Sequence, residues 1–71
     1  LPLNPLAAGE QATVTFTEAY TSVPRVSVTP TTDASARVRY YIQRTETEFR
    51  IVFIDTPVAG QQYSFDYQIL Q

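Results

Sequence analysis

The closing segment of this chain alternates between apolar and polar side chains. Tyr63, Phe65, Tyr67 and Ile69 share one parity, while Ser64, Asp66 and Gln68 share the other. Successive side chains of an extended strand point to opposite faces, so the segment from Tyr63 to Leu70 is predicted to be a strand with one apolar and one wet side. The same beat recurs upstream. It predicts strands at Gln11 to Thr17, Pro24 to Thr29, Ala36 to Thr45 and Glu48 to Asp55. Ten threonines and seven valines agree, because β-branched side chains suit a pleated surface. No 3.6-residue periodicity persists long enough to compete with this pattern. The fold class expected is all-β, a small antiparallel β-sandwich of about six strands, with a barrel as the second choice.

The connections fit that class. Thr45, Glu46 and Thr47 form a short polar link of the kind that closes a hairpin. Asp33 marks a turn between the second and third strands, and Pro57 with Gly60 marks the last loop. Residues 1–10 read as a lead-in from a longer parent chain, and residues 11–71 as one domain. Pro2 and Pro5 keep the lead-in extended, yet Leu1, Leu3 and Leu6 are too apolar for a solvated linker.

Length sharpens the problem. A 71-residue chain buries only about 60% of its unfolded surface, so its stability margin is thin. Domains this small usually lean on disulfides, a metal or self-association. The chain has no cysteine and no histidine, and its seven carboxylates are scattered, so no metal and no cofactor is expected. Self-association is left. The fourth strand points the same way: Phe49, Ile51 and Phe53 form one apolar face, but Val52 and Ile54 are apolar on the other. A strand apolar on both sides needs cover on both sides, and a second copy of the chain is the expected cover. Val52, Ile54, Leu70, Leu3 and Leu6 are therefore the candidate interface residues.

Arg37, Arg39 and Tyr41 share the outward parity of the predicted third strand, with Arg25 and Arg50 on neighbouring strands. Guanidinium forks beside an aromatic ring make a strip that can grip an acidic glycan or a phosphate. The competing assignment is a solvated rim, with the arginines paired to Glu10, Glu46, Glu48 or Asp66. Phe16, Tyr40, Phe49, Phe53, Tyr63, Phe65 and Tyr67 take inward positions, which leaves Tyr20 and Tyr41 as the freer aromatics. The candidate ligand-binding residues are thus Arg37, Arg39, Tyr41 and Tyr20. A net charge of −2 without lysine argues against nucleic acid. Nothing in the sequence spans a bilayer as a long apolar run. Catalysis is not expected, since no histidine, cysteine or opposed carboxylate pair stands ready.

The run GEQATVTFTEAYTSVPRVSVTPT, with RYYIQRTETEFRIVFID and AGQQYSFDYQIL further on, resembles H-type lectin-like domains and similar modules that end phage tail fibres. The likeness runs from about Gly9 to Leu70. The chain differs from that pattern at Glu48, where the family often has glycine, and in having no tryptophan or histidine. The resemblance implies a six-stranded antiparallel sandwich that assembles as a parallel homotrimer. It also implies a virion or extracellular setting, and a role in trimerising or capping a tail fibre. The alternative it implies is a carbohydrate-binding module that takes a host-surface glycan in clefts between subunits. A third reading is a capsid-decorating or baseplate adaptor.

Overall fold

The two faces read from the alternation become the facing surfaces of two sheets. The computed structural model describes residues 1–70, and its elements follow as β1 (Pro2–Leu3), β2 (Gly9–Thr15), β3 (Arg25–Pro30), α1 (Asp33–Arg37), β4 (Tyr40–Arg44), β5 (Glu48–Phe53) and β6 (Tyr63–Leu70). Strands make up 49% of the described residues, which is all-β in class. One sheet has the order β1-β6-β3 and the other β2-β5-β4, with every pairing antiparallel.

Aromatic side chains join the two layers. Phe53 on β5 lies 5.4 Å from Tyr63 and 6.2 Å from Phe65, measured between ring centroids, and Phe49 lies 5.1 Å from Tyr67. These contacts set β5 over β6. The Arg44 guanidinium donates to the Pro24 carbonyl at 3.1 Å, which sets the end of β4 over the start of β3. By sheet order, β2 then lies over the side of β6 that β1 occupies. Phe49, Ile51, Phe53, Tyr63, Phe65 and Ala34 form the buried core, with Leu3, Val14, Val26 and Ile42 packed half-buried around it.

The last strand is Tyr63–Leu70, as the alternation predicts, but its inward face is not uniformly covered. Tyr63 and Phe65 are buried, whereas Tyr67, inward and against Phe49, remains 43% exposed. In β2 the register with β5 shifts between Glu10 and Ala12, a bulge at Gln11. The Gln11 side-chain amide donates to the Ala7 and Gly9 carbonyls and stabilises that bend. Gly9 enters it at a φ of 113°, a conformation that a residue with a Cβ rarely adopts.

The predicted strand from Ala36 to Thr45 is corrected. Its first two residues belong to α1, and β4 begins only at Tyr40. The reason lies in Thr32 and Ser35. Thr32 caps the helix by accepting from the Ser35 N–H, and Asp33 and Arg37 pair across its single turn at 2.9 Å. A turn this short does not persist alone. Tertiary contact holds it: the fully buried Ser35 hydroxyl accepts the Ser64 N–H at 2.7 Å, and the Thr32 hydroxyl donates to the Gln62 carbonyl.

Two substitutions test this account by denaturant unfolding. Ser35→Ala strips the Ser64 N–H of its buried acceptor and is expected to cost about 1–3 kcal/mol. Phe49→Ala empties the junction of the two layers and is expected to cost roughly 3–5 kcal/mol. A cost near zero for either would remove that contact from the framework.

Candidate functional site

Shallow grooves mark the end of the molecule where α1 meets the loop between β5 and β6. The larger, about 420 Å³, has a floor of Ala34, Val38, Val58 and Tyr63 and a rim of Asp33, Arg37, Asp55 and Gln61. The Val58 N–H donates to the Tyr63 hydroxyl at 2.8 Å, which fixes the loop over the floor. A neighbouring groove is lined by Pro5 and Leu6 on one side and Pro57, Val58 and Gly60 on the other.

The arginine strip read from the sequence does not exist as a strip. Arg37 sits in the last turn of α1, not on a strand, and its guanidinium is held by Asp33. Arg39 lies just before β4 and clasps Asp55 through three side-chain bonds of 2.7 to 3.2 Å, while its N–H also donates to Asp55. The residues flanking the groove are thus two cation–carboxylate pairs, 33–37 and 39–55. Such a rim offers donors and acceptors together, which suits a neutral polyhydroxyl ligand better than a bare anion. The hydrogen bonds from Arg39 hold the Asp55 carboxyl below the usual aspartate range, with the partial desolvation of Asp55 opposing them.

The remaining candidates lie elsewhere. Tyr41 stands on the outer face of the β2-β5-β4 sheet, directly across from Val52, and is 46% exposed. Tyr20 sits at the opposite end of the molecule, edge-on to Phe16 at 5.0 Å. Arg25 is on β3 and Arg50 on β5, the outer faces of different sheets. Arg50 is ion-paired to Glu48 on its own strand and to Glu10 across on β2, the carboxylate partners that a solvated rim requires. Arg37, Arg39, Tyr41 and Tyr20 therefore do not converge on one site; only the first two share the groove end.

The apolar candidates divide as well. Val52 is half-buried in a row with Tyr41 and Glu10, its cross-strand partners. Ile54 lies past the end of β5, which stops at Phe53, and is 51% exposed with its N–H bonded to the Arg39 carbonyl. Leu6 is 91% exposed beside the second groove. Leu70 is on the other sheet, across from Arg25. Leu3, the interface candidate in the lead-in, belongs to β1 and packs half-buried on the chain's own core. Val58, which the alternation passed over, joins the exposed set at the groove end. Its loop position carries no periodic signal, so only the fold reveals it.

The Arg39–Asp55 clasp has a measurable consequence. A carboxyl whose folded value is depressed contributes stability above its unfolded pKa and loses that contribution as pH falls through the lower folded value. A carbon-detected titration is expected to place the Asp55 midpoint below that of an unpaired aspartate, and Arg39→Ala to raise it toward the ordinary range, since only the backbone N–H bond of residue 39 survives. An unchanged midpoint in the variant would show that the clasp is not formed in solution.

Comparison of the chain with protein-family models, with curated proteins and with solved structures finds no match.

Proposed function

We propose that this chain is a self-association module that holds three copies together as the C-terminal cap of a phage tail-fibre-like virion attachment protein. The observation that carries the self-association is the apolar row on the outer face of the β2-β5-β4 sheet. Tyr41 and half-buried Val52 are cross-strand partners there, Ile54 is exposed just past the end of β5, and a two-layer chain has no third layer to cover them. Burying each such side chain contributes roughly 1.5–3 kcal/mol. A domain of this length has a total stability on the order of 4–10 kcal/mol. Covering this row is therefore worth as much as a large share of the fold.

Shape is in keeping with a fibre. The chain extends 39 × 19 × 17 Å, and its radius of gyration of 12.4 Å exceeds the roughly 11 Å of a compact domain of equal length. The number three and the virion setting rest on the resemblance of the Gly9 to Leu70 segments to tail-fibre modules. A second reading, carbohydrate binding, is favoured by the groove at α1. Its paired charges over an apolar floor fall within the usual size of small-ligand sites. The two readings are compatible, because clefts between copies would enlarge that groove.

Light scattering is expected to return three times the chain mass at micromolar concentration. The thermal midpoint of the unaltered chain should fall with dilution, and Val52→Glu or Tyr41→Glu should drive the species toward the monomer and remove that dependence. A folded monomer in the unaltered chain would end the assembly reading. For the second reading, a glycan array is expected to give a hit that Arg37→Ala or Arg39→Ala weakens, and silence across the array would end it.

A further inference from the structure

Two cation–carboxylate pairs flank the groove at α1, and their hydrogen bonding is unequal. The Asp55 carboxylate accepts from Arg39 Nε and Nη2 at Oδ1, and from Arg39 Nε and the backbone N–H at Oδ2, over 2.7 to 3.2 Å. An ionised carboxylate offers about four acceptor positions, so Arg39 fills those of Asp55. Asp55 lines the groove and Arg39 does not. The clasp is therefore a closed wall with little left to offer a ligand.

The pair on α1 is open by comparison. Asp33 and Arg37 stand one turn apart on the same face of the helix, both lining the groove, and share a single bond from Arg37 Nε to Asp33 Oδ2 at 2.9 Å. A guanidinium carries five N–H donors, so those on Nη1 and Nη2 of Arg37 remain unused, and Asp33 Oδ1 has no protein donor among the described residues. The two side chains are 77% and 80% exposed, so their mutual attraction is weak and sharing them with a ligand costs little. The turn beneath them is nonetheless fixed, because Ser35 is bonded to the Ser64 N–H. Gln61 adds an amide to the same rim, and Ala34, Val38 and Val58 give an apolar floor.

We infer that Asp33 and Arg37 are the specificity-determining pair of this groove and take a neutral sugar with two adjacent free hydroxyls. One hydroxyl accepts from the Arg37 Nη groups while its neighbour donates to Asp33 Oδ1. The inference rests on the carbohydrate-binding reading and narrows it to a ligand class and to one of the two ion pairs. The C–H face of the sugar lies on Ala34, Val38 and Val58. An anionic sugar gains nothing, because Arg37 is the one cation among the lining residues and already has Asp33 beside it. The Arg39–Asp55 clasp shapes the groove without meeting the hydroxyl pair.

The test titrates the chain with the methyl glycosides of galactose and mannose and reads residue-resolved amide shifts. Each sugar is compared with its acetal, in which isopropylidene bridges the cis hydroxyl pair and leaves no two adjacent hydroxyls free. At least one free glycoside is expected to shift the amides of α1 and Gln61, and its acetal to bind about tenfold more weakly. Asp33→Ala and Arg37→Ala should each weaken the free glycoside by about tenfold. Asp55→Asn, which keeps the shape of the wall, should change it by less than about twofold. The Ser64 amide, expected unmoved in every variant, reports that α1 stays docked, and the acetal comparison needs no variant at all. Loss confined to Asp55→Asn would move the contact to the clasp and overturn the assignment. An acetal as tight as its parent, or methyl galacturonoside tighter than methyl galactoside, would overturn the ligand class. In each of these cases a sugar still binds the groove, so the carbohydrate reading survives. Silence from both free glycosides would overturn the inference by itself, whereas only a silent glycan array ends that reading.

Discussion

The contact between β5 and β6 holds the rest in place. Phe53 touches both Tyr63 and Phe65, and Phe49 meets Tyr67, so two central strands of different sheets lock through rings. Offset and edge-on aromatic pairs add specific geometry to ordinary burial. Everything else is hung on that pair. β1 and β3 flank β6, β2 and β4 flank β5, and α1 is pinned to the start of β6 through Ser35. The chain has few other buried side chains with which to replace this seam.

Such economy decides where exposed apolar surface falls. With only two layers, the side of β5 facing away from β6 has no cover, and Val52 shares it with Tyr41. The polar end of that same face is occupied by Arg50 between Glu10 and Glu48, with Thr13 and Gln43 across from Arg50. One sheet face thus carries a charged half and an apolar half. In the assembly proposed above, a face so divided would set the direction of the neighbour, because stacking in the reversed sense would bury the charged half against apolar side chains.

The strands that alternate cleanly were legible in the sequence. β6 matches the pattern from Tyr63 to Leu70, and β5 with its Thr45 to Thr47 turn follows closely, since period-two patterning records which face is buried. α1 was not legible. Its five residues carry no helical period, and the burial of Ser35 against β6 depends on a residue 29 positions away. The Thr32 cap and Asp33 were the local signals, but they served equally well as a turn. Likewise Arg39 was read correctly as exposed, yet its clasp with Asp55 depends on how β5 ends, which propensity does not encode. The grooves were beyond reach for the same reason: they are properties of how the elements assemble, not of single strands.

That strand order also governs how the molecule comes into being. β6 is the last strand described, and it sits between β1 and β3 while supplying half of the interlayer seam. A ribosome that has delivered everything up to Gln62 has made a polypeptide with only one complete sheet and no opposing surface. The two-layer core must then wait for β6, whose pairings with β1 and β3 are distant in sequence and of the slower-forming kind. A polypeptide that stops before Tyr63 leaves Phe49 and Phe53 without the β6 rings they pack against, so β6 is the piece whose arrival closes the core.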